Sequence, residues 1–285
     1  MQKLRKGKYK VTNWQEYNES LKSRGDITFW IEENAIKNWE EDQTSHCTRG
    51  RSTKYSDLAI QIMYTIRQLF SLALRQMEGF VSSIFKLMKL KLPIPDYTTV
   101  SRRAQKLSIN IVTSKPEGKI HLILDSTGIK VMGEKEWIKH KHGTKERKIW
   151  RKLHIGVTKD GNIVAGEVTT LRDSDIATVP SLLSQVHNEV KEITGDGAYY
   201  KKRMQKYMQR FKNLQNAKFL DPPKDKDHKY DNRLKVEETF SRYKRIIGNK
   251  FKAKNFLTQK TESAISLRIL NKMFDIGKPN TIRIA

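Results

Sequence analysis

Residues 119–131 read KIHLILDSTGIKV, the most apolar strand-like segment of the chain. Isoleucine, leucine and valine dominate the segment, which is typical of a buried β-strand. Asp125 interrupts it, and a carboxylate in such surroundings is costly unless it has a partner or a chemical role. Because Ser-Thr-Gly follows directly, the pattern favours a strand end that opens into a site over an edge residue or a turn cap.

The segments after this strand predict the rest of a sheet. Residues 152–157 and 162–169 flank Lys159-Asp160-Gly161, a hairpin signal that adds two strands to the first. The later segments predict a helix over 175–190, a strand over 192–196, a basic helix over 199–211, a strand over 217–220 and a helix from about Leu234. Three consecutive strands followed by alternating helices and strands indicate an α/β fold with a mixed sheet.

The first 115 residues have a helical pattern instead. Apolar residues recur at helical spacing over 57–72 and again over 77–88. Pro93 and Pro95 then end the pattern, and Asp96 offers a cap for a short basic helix. The residues of that helix expected to contact DNA are Thr98, Thr99, Arg102 and Arg103. Two packed helices before a short capped one match a helix-turn-helix unit, but a plain helical bundle with solvated arginines matches as well.

The chain is strongly basic. Its 285 residues include 56 Lys and Arg against 31 Asp and Glu, a formal net charge of +25. The length predicts about two domains, which we place at 1–115 and 116–285. A charge of this size indicates a polyanionic partner, with nucleic acid favoured over an anionic membrane surface. Two segments, 139–152 and 199–212, concentrate cations, and the residues expected to contact DNA there are Lys148, Arg151, Lys152, Lys201 and Lys202.

Other classes of protein are excluded by composition. Cys47 is the only cysteine, which excludes an intramolecular disulfide and a zinc site built from thiolates alone. No apolar stretch reaches the roughly 18 residues of a membrane-spanning helix, so we expect no segment to span a bilayer. With nucleic acid as the favoured partner, we expect no membrane partner. The expected location is the cytoplasm, with the protein bound to nucleoid DNA.

Two further carboxylates have settings that suit a site. Asp196 ends a predicted strand and is flanked by glycines, although a helix N-cap explains it equally well. Glu237 borders an apolar helical stripe, where a solvated face is a sufficient explanation for a single residue. Together with Asp125, these residues can hold two hard divalent cations, the usual means of activating water at a phosphodiester. The sequence therefore predicts a Mg²⁺ site within a cationic surface.

Asp196 has two rivals for the second position. Asp173 and Asp175 lie at the start of the helix predicted over 175–190. Capping of that helix is the favoured explanation for both, so Asp196 stays the prediction.

A signature around Glu237 resembles a known family. Tyr230, Arg233, Glu237 and Lys244 reproduce the spacing Tyr-x2-Arg-x3-Glu-x6-Lys of DDE insertion-sequence transposases. Three other segments resemble, in order, that family's first aspartate segment, the start of its second strand and its second aspartate segment: 122–128, 150–154 and 194–199. Upstream, three regions resemble the N-terminal region of the insertion-sequence family-five group: Tyr17-Asn18 with 26–30, then 74–79 and 92–99. The likeness runs over nearly the whole chain in the expected order.

The resemblance implies a fold and a set of site residues. The implied fold is α/β, with a ribonuclease H-like catalytic core and C-terminal helices over 116–285, preceded by a helical DNA-binding region over 1–115. The implied catalytic and metal-binding triad is Asp125, Asp196 and Glu237, holding two Mg²⁺ ions for which Mn²⁺ can substitute. The residues implied to contact the phosphates of the transposon end are Tyr230, Arg233 and Lys244.

The implied function is that of a DNA transposase. Such an enzyme binds double-stranded DNA at the terminal inverted repeats of its insertion sequence, cleaves the phosphodiester at the ends and joins the 3′-OH to target DNA. Joining two ends at once implies a homodimer or higher oligomer on DNA. Because only 41 positions lead from Asp196 to Glu237, we expect no large insertion domain between them. Two other classes stay open, a ribonuclease H-like nuclease that cuts without joining and a DNA-binding regulator without catalytic activity.

Overall fold

The computed structural model describes residues 8–41, 54–114, 116–131, 149–196, 199, 201–220 and 231–284. Two predicted site residues, Lys148 and Tyr230, lie outside the described residues. The side chains of three more, Lys201, Lys202 and Arg233, are not described either.

Helices make up most of the N-terminal region. A short strand, β1 (Lys8–Val11), comes before three short helices, α1 (Trp14–Ser23), α2 (Ile27–Trp30) and α3 (Glu33–Lys37). The next three are α4 (Asp57–Leu69), α5 (Leu74–Leu87) and α6 (Tyr97–Ala104). They confirm the helices predicted over 57–72, over 77–88 and after Pro95. They pack around a common apolar core whose buried members include Trp39, Met63, Met77, Phe85 and Val100.

A six-stranded mixed sheet forms the second half of the fold. Its strands are β2 (Ile120–Val131), β3 (Trp150–Thr158), β4 (Ile163–Thr170), β5 (Val190–Gly195), β6 (Lys218–Leu220) and β7 (Lys250–Phe251). The strand order is β4-β3-β2-β5-β6, and β7 pairs with the end of β2. The pairs β2–β3 and β3–β4 are antiparallel, whereas β2–β5, β5–β6 and β2–β7 are parallel. This confirms the predicted mixed sheet and fits a ribonuclease H-like core.

Helices cover both faces of the sheet. On one face lie α7 (Asp175–Ser184) and α8 (Lys201–Met208), and on the other lie α9 (Asp231–Ile246) and α10 (Phe256–Ile276). Leu122 and Leu124 of β2 are buried with α7 and α8, whereas Ile123 is buried with α9 and α10. Successive side chains of a strand point to opposite faces. Asp125 therefore points to the α9 side of the sheet and Ser126 to the α7 side.

The long helix α10 joins the two halves of the molecule. Its Ile265 and Ile269 are buried in the core of the N-terminal helices. Leu267 and Leu270, from the other side of the same helix, are buried in the core between the sheet and α9. The last strand, β8 (Thr281–Ile284), then pairs antiparallel with β1, so the two ends of the described chain meet.

Some boundaries differ from the predictions. α7 ends at Ser184, with Gln185 as its C-cap. The side-chain amide of Gln185 accepts from the N–H of Gly166 on the edge strand β4 at 3.0 Å and donates to its C=O at 3.2 Å. Val190 consequently begins β5 rather than ending a helix. The elements β1, α1, α2, α3 and β8 were not predicted. No helix in the described part of the chain is long and apolar enough to cross a membrane.

Candidate active site

The pairing of β2 creates an opening in the sheet. β5 pairs with β2 up to Leu124, and β7 pairs only with Lys130 and Val131. Among the described strands, positions 125–129 therefore pair with β3 alone. α9 packs over β2. Asp125 thus lies where the sheet opens toward a helix.

An open pocket of about 680 Å³ lies between β2 and α9. The residues that line it are Asp125, Ser126, Thr127, Glu237, Phe240, Ser241, Lys244 and Arg245. Asp125 is half-buried, and its Oδ1 accepts a hydrogen bond from the N–H of Ser126 at 2.8 Å. The structure therefore brings two of the three predicted carboxylates, from distant parts of the chain, to one pocket with two cations.

Helical spacing sets which glutamate faces this pocket. Glu237 and Lys244 are separated by nearly two helical turns, so they lie on one face of α9. Lys244 Nζ donates a hydrogen bond to Thr127 Oγ1 at 2.8 Å. Glu238 points elsewhere, because its carboxylate pairs with Lys235 at 3.1 Å and its side chain is 65% exposed. The geometry agrees with the spacing signature, which selects Glu237.

Asp196 follows β5 directly. The parallel register aligns Leu124 with Gly195, so Asp125 and Asp196 take the next positions on neighbouring strands. Alternation along β5 puts Asp196 on the same face as Thr194, whose hydroxyl bonds His121 of β2 at 2.7 Å. Asp196 is half-buried and does not line the pocket. Within the described ranges, no three His, Cys, Asp or Glu side chains are gathered closely enough to hold a metal ion.

A second polar network lies on the opposite face of β2, beside α7. Ser126 Oγ donates to Asp175 Oδ2 at 2.9 Å. Lys152 Nζ donates to Asp175 Oδ1 at 2.7 Å and to the C=O of Asp173 at 2.9 Å. Burial favours a higher pKa for Asp175, but the hydrogen bonds from Lys152 and Ser126 outweigh it, so the pKa lies below its usual value. Asp175 is therefore an ionised member of a network next to Asp125.

The prediction that Asp173 and Asp175 cap α7 is wrong. Ser174 takes the N-cap position, and no side chain bonds the first turn from there. The Asp173 carboxylate bonds the N–H of Thr170 at 2.8 Å instead and closes the turn after β4. Asp175 is already inside the helix, where its side chain faces β2 and β3.

Two buried side chains border this network. His154 is fully buried, with Nε2 2.8 Å from Thr169 Oγ1 and Nδ1 3.5 Å from the hydroxyl of Tyr199. Burial lowers the pKa of His154. The pKa of Tyr199 is raised by burial and by three nearby carboxylates, those of Asp175, Asp125 and Asp196. Both rings are therefore neutral near pH 7.

The predicted DNA contacts of α6 lie near both ends of that helix, two threonines in its first turn and two arginines in its last. Thr98 and Arg102 are exposed and Thr99 is half-buried. Asp96 accepts the N–H groups of Thr98 and Thr99 at 2.9 and 3.0 Å, and both hydroxyls also donate to it. This cap explains where α6 begins. In the last turn of the helix, Arg102 is exposed to solvent.

Three other predicted DNA contacts have internal partners. Arg103, with a side chain 20% exposed, bonds the Asp57 carboxylate at 2.5 Å and so links α6 to α4. Arg151 Nε donates to Gln259 Oε1 at 3.0 Å, which links β3 to α10. Lys152 lies in the network behind β2. Packing and pairing within the protein account for these three side chains.

Five residues that line the pocket were not among the predicted site residues: Ser126, Thr127, Phe240, Ser241 and Arg245. Alternation along β2 could have indicated Thr127, since it falls on the same face as Asp125. The bond from Ser126 to Asp175 spans 49 positions, and no local pattern predicts such a contact.

Comparison with known proteins identifies a matching protein family. Two family models, both described as Transposase DDE domain, match residues 22–134 and 116–272, and the second alone covers more than half of the chain. Among solved structures, the chain is similar to one described as the Drosophila P element transposase strand transfer complex. The identity is 12%, the TM-score is 0.30, and the match covers 73% of this chain and 48% of that chain. This chain spans about half the length of that protein.

Proposed function

The chain belongs to the family of DDE transposases, and from this premise we propose that it cleaves DNA at the terminal inverted repeats of its insertion sequence and joins the freed 3′-OH to target DNA. One observation carries the proposal. Asp125 and Glu237 line a single open pocket together with Lys244 and Arg245. A local pair of carboxylates in a protein of net charge +25 suits a reaction in which cations hold the phosphate backbone and acids hold metal.

The donor set of this region suits Mg²⁺. Asp125 and Glu237 offer carboxylate oxygens to one open pocket, and Asp196 lies at the next position on the neighbouring strand. Mg²⁺ prefers such oxygen ligands, and Mn²⁺ accepts the same set. Our assignment is that Asp125 and Glu237 hold the metal in this pocket and that Asp196, which lies outside it, completes the ligand set when metal binds. The chemistry that two bound ions supply is activation of the attacking oxygen and stabilisation of charge on the leaving oxygen.

Cations around the pocket would hold the DNA backbone. An ammonium has three N–H donors, and among the described hydrogen bonds Lys244 gives one, to Thr127, so its ammonium can also donate to a phosphate. Arg245 adds a guanidinium at the same pocket, a group with the planar geometry for bidentate contact with phosphate. Arg233 lies one helical turn before Glu237. With Tyr230 it completes the set that we assign to the transposon end.

The N-terminal helices are assigned to recognition of the terminal repeats. Thr98, Thr99 and Arg102 lie near the two ends of a short helix packed against α4 and α5, an arrangement compatible with a helix-turn-helix unit. Arg103 would act there by fixing α6 on α4 through Asp57 rather than by touching bases. Two transposon ends joined in one event require two active sites, so we expect at least a dimer on DNA.

Incubation with the DNA that flanks the gene tests this proposal. Linear duplexes with the two flanking ends, a supercoiled target plasmid and Mg²⁺ are mixed with the protein, and products are resolved on denaturing and native gels. Cut ends together with end–plasmid joints support the transposase. Cut ends without joints support a nuclease instead, and a retarded but intact duplex supports a DNA-binding regulator. A duplex of scrambled end sequence is the control for specificity.

A further inference from the structure

Asp175 connects three segments behind the candidate active site. It lies at the start of α7, and its two carboxylate oxygens bond Ser126 of β2 at 2.9 Å and Lys152 of β3 at 2.7 Å. Its side chain is only 12% exposed, and that of Lys152 is 25% exposed. A charged pair this sheltered from water is costly to break, because the remaining charge would be left without its partner.

Ser126 transmits this contact to Asp125. Its backbone N–H donates to Asp125 Oδ1 at 2.8 Å, while its hydroxyl donates to Asp175 Oδ2. Asp125 and Ser126 point to opposite faces of β2. Asp175 and Lys152 therefore support the site from behind, and Ser126, which also lines the pocket, connects them to it. A Ser126 held at both its N–H and its hydroxyl restricts the orientations open to the Asp125 carboxylate.

Lys152 also lies on the α7 side of the sheet and bonds residues there. Its ammonium donates to Asp175 and to the C=O of Asp173. In the antiparallel register Lys152 lies opposite Gly128, and the next residue on its face, His154, lies opposite Ser126. Lys152 therefore projects toward α7, away from the face of β2 that carries Asp125.

We propose that Asp175 is a positioning residue for Asp125, acting through Ser126, and that Lys152 is its counter-ion rather than a contact to DNA. The inference rests on the proposed function, because it assumes that Asp125 holds metal. Groups that orient a metal ligand through hydrogen bonds typically change metal affinity or activity by about 10- to 100-fold when they are lost.

Metal binding measured apart from catalysis tests the positioning role. Mn²⁺ is titrated into the full chain and free Mn²⁺ is followed by electron paramagnetic resonance; in parallel, Mg²⁺ is titrated in the cleavage assay. Asp175→Asn and Ser126→Ala should both weaken metal binding by about 10-fold or more. Asp173→Asn, the same charge change in the same segment, should leave it unchanged, since that carboxylate bonds only the turn at Thr170 among its described contacts.

The salt dependence of DNA binding tests the role of Lys152. Each phosphate contact contributes about −0.9 to the slope of log K against log salt concentration. Lys152→Met should leave the slope as in wild type while it weakens Mn²⁺ binding. A slope that becomes shallower by about 0.9, the value for one phosphate contact, would overturn the counter-ion assignment.

The outcomes separate this inference from the proposed function. Unaltered Mn²⁺ affinity in Asp175→Asn and Ser126→Ala, beside a wild-type protein that binds Mn²⁺ and cuts DNA, overturns the positioning role alone. A wild-type protein that neither binds Mn²⁺ nor cuts overturns the proposed function. If Asp175→Asn does not fold by circular dichroism, Ser126→Ala decides the matter, because it removes a single hydroxyl.

Discussion

The ammonium of Lys244 on α9 donates a hydrogen bond to the hydroxyl of Thr127 on β2 at 2.8 Å, two residues beyond Asp125. The bond ties the helix that carries Glu237 to the strand that carries Asp125. It also holds a cation at the pocket that both carboxylates line. One contact thus serves the architecture of the site and the proposed binding of phosphate.

Removal of Lys244 should weaken DNA binding through charge. Lys244→Ala should reduce the slope of log K against log salt concentration by about 0.9, the value for one lost phosphate contact. Fluorescence anisotropy with a labelled terminal duplex across a salt series measures that slope. Lys235→Ala is the matched control on the same helix, because Lys235 pairs with Glu238 away from the pocket. Equal slopes for wild type and Lys244→Ala would rule out the contact.

The two adjacent glutamates of α9 should differ sharply in function. Metal-assisted stabilisation of charge is worth several kcal/mol, so Glu237→Gln should slow Mg²⁺-dependent cleavage by more than about 100-fold. Glu238→Gln should cleave like wild type, since Glu238 makes only an exposed pair with Lys235 among its described contacts. Single-turnover cleavage of the terminal duplex compares the two variants. Comparable rates in both would remove Glu237 from the triad.

The amphipathic and alternating patterns predicted much of this fold because their causes are local. The segments with helical spacing, 57–72 and 77–88, correspond to α4 and α5. The segments rich in apolar and β-branched residues correspond to β2, β3 and β4. The family signature selects Glu237 over Glu238, and Glu237 lines the pocket. The order of strands along the chain also sufficed to predict a mixed sheet.

Contacts between distant segments escaped prediction. The pairing of β1 with β8 joins the two ends of the described part of the chain, and no local signal links these two strands. The internal partners of Arg103 and Arg151 likewise depend on tertiary packing, so a basic sequence pattern counted both as candidate DNA contacts. Asp175 was explained as a helix cap because its partners on β2 and β3 are remote in sequence.

The buried Asn271 of α10 should be important for stability. Its side-chain amide donates to the C=O groups of Ile163 and Ile111 at 2.7 and 3.0 Å and accepts from the N–H of Ile163 at 2.9 Å. Asn271→Ala would leave these buried backbone groups without that partner, and each such group costs about 1–3 kcal/mol. We expect a loss of about 2–4 kcal/mol in the free energy of unfolding, measured by urea denaturation.

An exposed pair provides the control for this stability measurement. Lys22 bonds Glu19 at the surface of α1, with both side chains more than half exposed. Lys22→Ala should change the free energy of unfolding by less than about 0.5 kcal/mol. If Asn271→Ala were as mild as Lys22→Ala, the amide would not hold α10 on the sheet.

The buried His154 should make stability depend on pH. Burial lowers its folded-state pKa below the usual value of 6.5, so the unfolded chain takes up more protons as the pH falls through that value. The contribution of His154 to the free energy of unfolding is therefore complete above about pH 6.5. It decreases at lower pH, and the free energy of unfolding then falls by at most about 1.4 kcal/mol per pH unit. Urea denaturation measures the free energy of unfolding at pH 7.5 and at pH 5.5. From the higher to the lower pH, this free energy should decrease more for wild type than for His154→Gln. Identical losses would mean that His154 titrates normally.

Mapping of the metal position directly tests the assignment of the metal to the three carboxylates. Fe²⁺ is loaded in place of Mg²⁺ on the full chain with its terminal DNA, and ascorbate and peroxide generate hydroxyl radicals that cut the backbone near the ion. We expect cuts near all three of Asp125, Asp196 and Glu237, which excess Mg²⁺ should suppress and which should be absent in Asp125→Asn. Cuts confined to other segments, or an unchanged pattern in Asp125→Asn, would contradict the assignment of the metal to these three carboxylates.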